Sequence, residues 1–148
     1  MEPRTLIATV GLPRSGKSTW ARGQGYPVVC PDEIRLALHG QRFAPEAEPF
    51  VWAIAKIMVR CLFASGATLV ILDATNMSRK RRDEWQSKEW RTAFKIVCET
   101  ALTCKQRAAE CGRHDLIPVI DRMVSESEPL GEDEALWGTH GDESCSAG

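Results

Sequence analysis

The ten residues GLPRSGKSTW, numbers 11–20, contain the pattern G-x-x-x-x-G-K-[ST] without a mismatch. The six residues before them, TLIATV at 5–10, are rich in β-branched side chains and predict a buried strand. A helix is predicted to begin near Lys17 and to end before Gly23 or Gly25. A strand, a glycine-rich turn and a helix in this order form the setting in which this pattern holds nucleotide phosphates.

Each position of the loop has a chemical reason. Gly11 and Gly16 allow the backbone to wrap closely around oxyanions, so that N–H groups and the positive end of the helix point at phosphate. Lys17 supplies a charge to the β- and γ-phosphates, and Ser18 offers a hydroxyl to Mg²⁺. ATP and Mg²⁺ are therefore the expected cofactors. The other predicted nucleotide contacts are Pro13, Arg14, Ser15 and Thr19.

Composition limits the remaining possibilities. The 148 residues fit one domain, and 43% apolar with 26% charged residues is typical of a globular protein. A net charge of −1 argues against general coating of nucleic acid by bulk charge, so such a contact needs a local basic patch. The apolar run near the start is too short for a signal peptide or membrane span, so a cytoplasmic location without a membrane partner is expected. Six cysteines without a C-x-x-C pair predict reduced thiols.

Predicted strands alternate with predicted helices along the chain. Further strands are expected at 28–30, 68–73 and 94–99, and helices at 31–40, 46–65, 79–91, 103–111 and 119–127. This order predicts an α/β fold, a three-layer sandwich with a parallel sheet of four to five strands and helices on both faces. The domain is expected to cover residues 1–137, followed by a poorly ordered tail at 138–148. The apolar residues assigned to the core face of the 46–65 helix are Phe50, Ile54, Ile57, Met58, Cys61 and Leu62.

The string CPDEIR, residues 30–35, offers the groups that a kinase needs beside its phosphate loop. Asp32 follows the second strand and can orient an acceptor hydroxyl and take its proton. Arg35 lies one helical turn later, on the same side, and can stabilise charge on the transferred group. A helix N-cap for Asp32 and a surface ion pair for Arg35 are the structural alternatives. A guanine-reading N/T-K-x-D string is absent, which argues against a GTPase switch.

Three further features allow two interpretations each. Asp73 ends an apolar strand and either joins the magnesium shell or caps the next turn. The run Arg79 to Arg82 either follows a nucleic-acid backbone or forms a solvated helix face with its acidic neighbours. Trp85 and Trp90 either stack on bases or pack in the core.

Together GLPRSGKSTWA, PDEIR and LDATN followed by RKRR resemble the kinase domain of bacteriophage polynucleotide 5′-kinase and its P-loop kinase relatives, from about Leu6 to about Glu128. The resemblance implies a P-loop NTPase fold of the kinase type with a helical lid at about 112–122. It also implies that Asp32 is the general base for a 5′-hydroxyl and that Arg35 engages substrate phosphate. Arg122, or Arg113 as a second candidate, would lie over the ATP phosphates. The predicted substrate contacts are completed by Thr75, Asn76 and Arg79.

The expected function is thus ATP-dependent phosphorylation of the 5′-hydroxyl end of DNA or RNA. The chain is too short for the 3′-phosphatase domain of the phage enzymes, so only kinase activity is expected. A nucleoside or other small-molecule kinase of the same fold is the first alternative, and a nucleotide-binding module without transfer chemistry is the second. The oligomeric state stays open.

Overall fold

The computed structural model describes residues 3–40 and 43–138. The predicted tail therefore lies outside the described residues from 139 onward. The elements, in chain order, are β1 (Thr5–Val10), α1 (Lys17–Gly23), β2 (Val28–Val29), α2 (Pro31–His39), a short 3₁₀ turn (Pro45–Ala47), α3 (Glu48–Ala64), β3 (Leu69–Leu72), α4 (Arg79–Asp83), β4 (Arg91–Ile96), α5 (Ala101–Glu110) and α6 (Leu116–Glu126).

The four strands form one parallel sheet in the order β2-β3-β1-β4. In the centre, Ile7 of β1 is opposite Ile71 of β3 on one side and Ala93 of β4 on the other. Because the strands are parallel, all their carboxyl ends meet at one edge, where ligands of such sheets bind. The phosphate loop follows β1 at this edge and α2 follows β2 there.

Helices cover both faces of the sheet. Leu6 and Val70 on one face pack with Val51 and Phe63 of α3. On the opposite face Ile7 and Ile71 pack with Ala21 of α1. Successive residues of a strand point to opposite faces, which explains why neighbouring apolar residues of β1 belong to different layers. The predicted α/β three-layer sandwich of the P-loop kinase type is confirmed.

The face of α3 that contacts the sheet differs from the predicted one. Phe50, Ile57, Met58 and Cys61 were assigned to the core, but all four are exposed, with Phe50 at 66%. The buried residues of this helix are Val51, Ala55, Val59 and Phe63. Ile54 and Leu62 are partly buried against the same core. Apolar side chains lie on nearly every side of α3. The sequence therefore predicted the helix correctly but did not determine which of its faces packs on the sheet.

The helix predicted at 79–91 is much shorter than expected. It ends at Asp83, and β4 begins at Arg91 rather than at residue 94. The intervening turn is fixed by the main-chain oxygen of Trp85, which accepts hydrogen bonds from Thr92 Oγ1 at 2.7 Å and Trp90 Nε1 at 3.1 Å. Trp85 and Trp90 are both buried in the core. Their packing, rather than base stacking, is the correct interpretation.

The cysteines follow the prediction at four positions. Cys30, Cys61, Cys104 and Cys111 are free thiols. Cys98 is disulfide-bonded, so the prediction of a reduced thiol is wrong at that position. Within residues 3–40 and 43–138, no helix is long and apolar enough to cross a bilayer.

A buried ion pair links the segment after α6 to α4. Arg82 is 0% exposed and Glu134 is 1% exposed at the side chain, with Arg82 Nε donating to Glu134 Oε2 at 2.7 Å. The same guanidinium also donates to the carbonyls of Asn76 and Met77. Beyond Glu134, residues 135–137 hydrogen-bond to Phe94 at the outer edge of β4. The segment after α6 therefore closes the edge of the sheet.

Removing one member of this pair should destabilise the fold strongly. Arg82→Met removes the buried cation and leaves the Glu134 carboxylate with only the partly exposed Arg79 as its ionic partner, which is expected to reduce the free energy of unfolding by about 3–5 kcal/mol. Denaturant unfolding measures this change. The control Arg60→Met breaks the exposed pair between Arg60 and Glu89, whose atoms are 3.1 Å apart, and should change the free energy by less than about 1 kcal/mol. Equal effects of the two substitutions would contradict the conclusion that the buried pair of Arg82 and Glu134 stabilises the fold more than an exposed pair does.

The contribution of the pair should also depend on pH. Burial alone would raise the pKa of Glu134, but hydrogen bonds from Arg82 and the Gly131 N–H hold it below its ordinary value of 4.5. A depressed carboxyl pKa stabilises the fold above the unfolded pKa, and this stability is lost as the pH falls through the folded pKa. The stability difference between wild type and Arg82→Met should therefore shrink below pH 4.5.

Candidate active site

The phosphate loop connects β1 to α1 and depends on its glycines. A Cβ at Gly11 would lie 2.8 Å from both Ser15 Oγ and the Val97 carbonyl oxygen, so no larger residue fits there. Gly16, just before α1, has φ 103°, and Arg14 also adopts a left-handed conformation with φ 68°. The Ser15 hydroxyl oxygen is buried and has no hydrogen-bond partner among the described residues. A phosphate oxygen in the loop would supply that partner.

Lys17 is buried at the first position of α1. Its ammonium donates to the Leu12 carbonyl at 2.6 Å, which places the charge inside the loop. Burial lowers the pKa of Lys17, while the negative charges of Asp73 and Asp32 oppose this shift. Both carboxylates therefore lie within electrostatic reach of the lysine. Asp32 lies near the start of α2, which follows β2 at the sheet edge that also carries the phosphate loop. That its carboxylate faces the loop stays a prediction.

Ser18 and Asp73 lie in direct contact. Ser18 Oγ donates to Asp73 Oδ2 at 2.6 Å, and the Asp73 main-chain N–H donates to the Val29 carbonyl at the end of β2. A hydroxyl and a carboxylate are donors that Mg²⁺ takes in proteins together with phosphate oxygens. Among residues 3–40 and 43–138 no group of three His, Cys, Asp or Glu side chains converges as a metal site. A cation held here would thus complete its ligand shell with phosphate and water.

Asp32 and Arg35 emerge from the first turns of α2. Arg35 Nη1 donates to Asp32 Oδ1 at 2.6 Å, and the Asp32 side chain remains 79% exposed. The Arg35 side chain is only 14% exposed. Its Nε and Nη2 donate to the two carboxylate oxygens of Glu48 at 2.9 and 2.7 Å. The Arg35 cation, held by Glu48, therefore lies beside the solvent-exposed Asp32 carboxylate.

Glu48 is a site residue that the sequence did not reveal. Burial lowers the pKa of Arg35, but hydrogen bonds and the negative charges of Glu48 and Asp32 outweigh this effect and raise it. Glu48 begins α3, thirteen positions after Arg35, and no local pattern marks it as a partner. The only indirect indication was electrostatic. Removing an arginine charge from water is costly unless it is paired, and the exposed Asp32 alone does not pair Arg35 on its buried side.

Thr75 and Asn76 support the phosphate loop from behind. The Gly11 N–H donates to the Thr75 carbonyl at 2.9 Å, and Asn76 Nδ2 donates to the Thr9 carbonyl at 2.8 Å. Asn76 has φ 46° and is almost fully buried, and its Oδ1 has no partner within the described part of the chain. The observed role of both residues is to join the ends of β1 and β3. Contact with a substrate stays a prediction.

Arg79 is occupied by acidic neighbours. Its guanidinium contacts Asp83 at 2.9 Å and Glu134 at 3.2 Å, and it also forms an ion pair with Asp133. Hydrogen bonds to Asp133 and Asp83 raise the pKa of Arg79. The pairing of Arg79 with Asp83 is the one predicted for a solvated helix face. Its predicted contact with substrate would have to replace one of these carboxylates.

The predicted lid arginines lie on the hairpin of α5 and α6. Arg113, in the turn, forms an ion pair with Asp115 at 2.9 Å, and Arg122 is exposed on α6. The hairpin packs through Cys104 and Ile120 against Leu12 of the phosphate loop.

Another arginine of this hairpin, which sequence analysis missed, touches the loop directly. Arg107 Nη1 donates to the Arg14 carbonyl at 3.1 Å, and Arg107 Nη2 forms an ion pair with Glu99 at 3.3 Å. The contact joins residues 93 positions apart, so only the fold brings it about.

Several solved structures with a similar fold are kinases by name. A chain in the "Structure of Pnkp1/Rnl/Hen1 complex" matches with a TM-score of 0.63 and 28% identity over 72% of this chain. The protein spans 40% of that longer chain. A sugar kinase from Janibacter sp. HTCC2649 matches with a TM-score of 0.62 and 21% identity, covering 90% of this chain and 82% of the other. A gluconokinase from Sinorhizobium meliloti 1021 gives 0.59 and 21%, covering 91% and 81%.

A search of curated proteins found no significant match. The family model AAA_33, described as an AAA domain, matches residues 6–116, from β1 through the phosphate loop to the start of α6. This range contains the loop, Asp32, Arg35 and Asp73, and it covers well over half of the chain. The chain therefore belongs to the AAA domain family AAA_33 and has the P-loop fold of a kinase-type phosphotransferase.

Proposed function

We propose that the protein transfers the γ-phosphoryl group of ATP to the 5′-hydroxyl end of a polynucleotide, DNA or RNA. The observation that carries the proposal is the position of Asp32. Its carboxylate is open to solvent, bonded to the fixed Arg35 and within electrostatic reach of the buried Lys17 in the phosphate loop. An acceptor hydroxyl between Asp32 and the loop would meet a base on one side and a γ-phosphate on the other.

The chemistry is an in-line displacement. Asp32 accepts the proton of the 5′-hydroxyl as its oxygen forms a bond to the γ-phosphorus, while the bond from that phosphorus to the β,γ-bridging oxygen breaks and ADP leaves. Lys17, Arg35 and a lid arginine, Arg122 or Arg113, stabilise the charge on the transferred group. Ser18 and Asp73 would hold Mg²⁺, which neutralises charge on the β- and γ-phosphates when bound. No 3′-phosphatase activity is part of the proposal.

Two observations support a nucleic-acid acceptor. The motif set GLPRSGKSTWA, PDEIR and LDATN with RKRR resembles the phage polynucleotide kinases. The 28% identical match belongs to the Pnkp1/Rnl/Hen1 complex, and a second structure of that complex names it an RNA repair complex. Since this chain spans only part of the matched one, the acceptor remains a proposal to be tested on the protein itself.

A small hydroxyl compound is the second candidate acceptor. Arg35 already binds two carboxylates, which leaves fewer free donors for a substrate phosphate. A neutral polyhydroxyl acceptor would accept hydrogen bonds from the remaining donors without displacing Glu48. The sugar kinase and gluconokinase among the similar structures share the same fold. The acceptor experiment below separates the two candidates.

Replacing the proposed base should stop turnover without releasing the nucleotide. Asp32→Asn removes proton acceptance, and we expect kcat to fall by about 10²–10⁴ while ATP binding, measured by calorimetry, persists. Glu33→Gln is the matched control, because Glu33 is the neighbouring exposed carboxylate and pairs with Arg22 at 3.5 Å. Full activity of Asp32→Asn would show that Asp32 is not the base. ATP binding without phosphoryl transfer in the wild type would instead support a nucleotide-binding module without transfer chemistry.

A panel of acceptors tests the substrate class. The purified chain is incubated with γ-labelled ATP and, in parallel, a 5′-hydroxyl oligonucleotide, a nucleoside 3′-monophosphate, a free nucleoside and gluconate. We expect label on the oligonucleotide and, more weakly, on the 3′-monophosphate, because Arg35 can engage the phosphate that follows the terminal nucleoside. Label on the nucleoside or gluconate alone would identify a small-molecule kinase.

The response of Arg35 gives independent information. Arg35→Gln removes a charged contact to the acceptor phosphate, so KM for the 3′-monophosphate should rise about tenfold or more. Arg22→Gln, on the exposed surface of α1, serves as the control for loss of an arginine. A fall in kcat with an unchanged KM would mean that Arg35 acts on the transition state only and that the acceptor needs no phosphate.

A further inference from the structure

The four basic residues of 79–82 divide into two pairs with different surroundings. Arg82 is buried with Glu134, and Arg79 is bound by three carboxylates. These two arginines are occupied by contacts that close the fold. Lys80 and Arg81 lie toward solvent, with Lys80 exposed and the Arg81 side chain 36% exposed. Positive charge for an external ligand therefore comes from the second pair.

Arg81 lies over an indole that leads back to the candidate active site. Its guanidinium carbon is 4.1 Å from the ring centroid of Trp52 on α3. The guanidinium carbon of Arg35 is 5.8 Å from the same centroid. Trp52 stands one helical turn after Glu48, the carboxylate that holds Arg35. Contacts thus run without a break from Asp32 through Arg35 and Trp52 to Arg81.

The guanidinium of Arg81 is positioned by Trp52, and not all of its N–H groups have a hydrogen-bond partner among the described residues. The Arg81 guanidinium carbon lies over the ring of Trp52 within cation–π distance, an arrangement that leaves the N–H groups available to hydrogen-bond other partners. Of these groups, Nη1 donates to Glu84 at 2.8 Å, in a pair exposed on both sides. An exposed ion pair of this kind contributes little and exchanges readily with another anion. Arg81 therefore has donors for a ligand at low energetic cost.

Resting on the proposed function, we infer that Arg81, stacked on Trp52, binds a phosphodiester of the acceptor strand beyond the terminal nucleotide. The terminal 5′-hydroxyl would lie at Asp32, the first phosphate at Arg35 and a following one at Arg81. A planar guanidinium matches the oxygens of a phosphodiester, whereas a base would have to displace Arg81 from the indole to stack there. The surface would thus favour a strand over a mononucleotide.

The Trp52 side chain is attached to the core of the protein. Its ring packs edge-on to Trp85, with centroids 6.3 Å apart, so the platform is anchored to the core. Movement of Arg81 toward a phosphate would leave the platform itself in place.

The experiment compares a 5′-hydroxyl pentanucleotide with a nucleoside 3′-monophosphate, using wild type, Arg81→Ala, Arg81→Lys and Arg60→Ala. Arg81→Ala should raise the ratio of the pentanucleotide KM to the monophosphate KM about tenfold, since one charged contact is lost. The slope of log(kcat/KM) against log[salt] for the pentanucleotide should become shallower by about 0.7. Arg81→Lys should keep the salt slope and recover part of the affinity, because it retains charge but not the stacked fork.

The control and the possible failures are separable. Arg60, on α3, pairs with Glu89, and the Arg60 side chain is 57% exposed. Arg60→Ala should therefore leave both KM values and the salt slope as in wild type. If wild type labels neither nucleic-acid acceptor, the proposed function itself is overturned. If wild type labels both and Arg81→Ala behaves as Arg60→Ala, or raises both KM values equally, the inference about Arg81 alone is wrong. Thermal unfolding of each variant confirms that it is folded.

Discussion

The hydrogen bonds that join the ends of β1 and β3 are the constraint on which the site depends. Thr9 Oγ1 donates to the Ala74 carbonyl at 2.7 Å and accepts from the Ala74 N–H at 2.9 Å, and the Thr75 carbonyl accepts from Gly11. These contacts fix where the phosphate loop begins relative to Asp73 and thereby bring Ser18 to that carboxylate. A buried threonine with all its capacity used inside the protein is stabilising because no polar atom is left unpaired.

The same junction connects the site to the rest of the chain. Asn76 donates to the Thr9 carbonyl, and the carbonyl of Asn76 accepts from the buried Arg82. Arg82 in turn holds Glu134, from the segment that follows α6. Groups far apart in sequence are thus linked in one polar network, which is costly to break at any single point because its members are removed from water. The end of the described chain therefore contributes to the position of the loop.

The sequence was sufficient for the parts of the structure that rest on local chemistry. The strand at 5–10, the glycines of the loop and the helix start at Pro31 follow from backbone geometry and short-range pattern, and each is observed. The predicted core face of α3 was wrong because Val51 and Phe50 are both apolar, and only packing on the sheet selects between them. Glu48 and Arg107 were missed because their partners are distant in sequence. Polar pairs between residues that are far apart in sequence produce no periodic pattern from which they could be predicted.

The distribution of charge explains how a nearly neutral chain can still recognise an anion. Four basic side chains near the candidate site already have partners within the protein. Lys17 donates to a carbonyl of the phosphate loop, and Arg35 pairs with Glu48. Arg79 and Arg82 both pair with Glu134, in the segment after α6. An attached carboxylate holds a cation in place but also competes with an incoming phosphate, so the strength of each pair sets how available its cation is. The half-buried pair of Arg35 with Glu48 fixes geometry, whereas the exposed pair of Arg81 with Glu84 yields easily. Selectivity at such a surface depends on which pairs are exposed rather than on net charge.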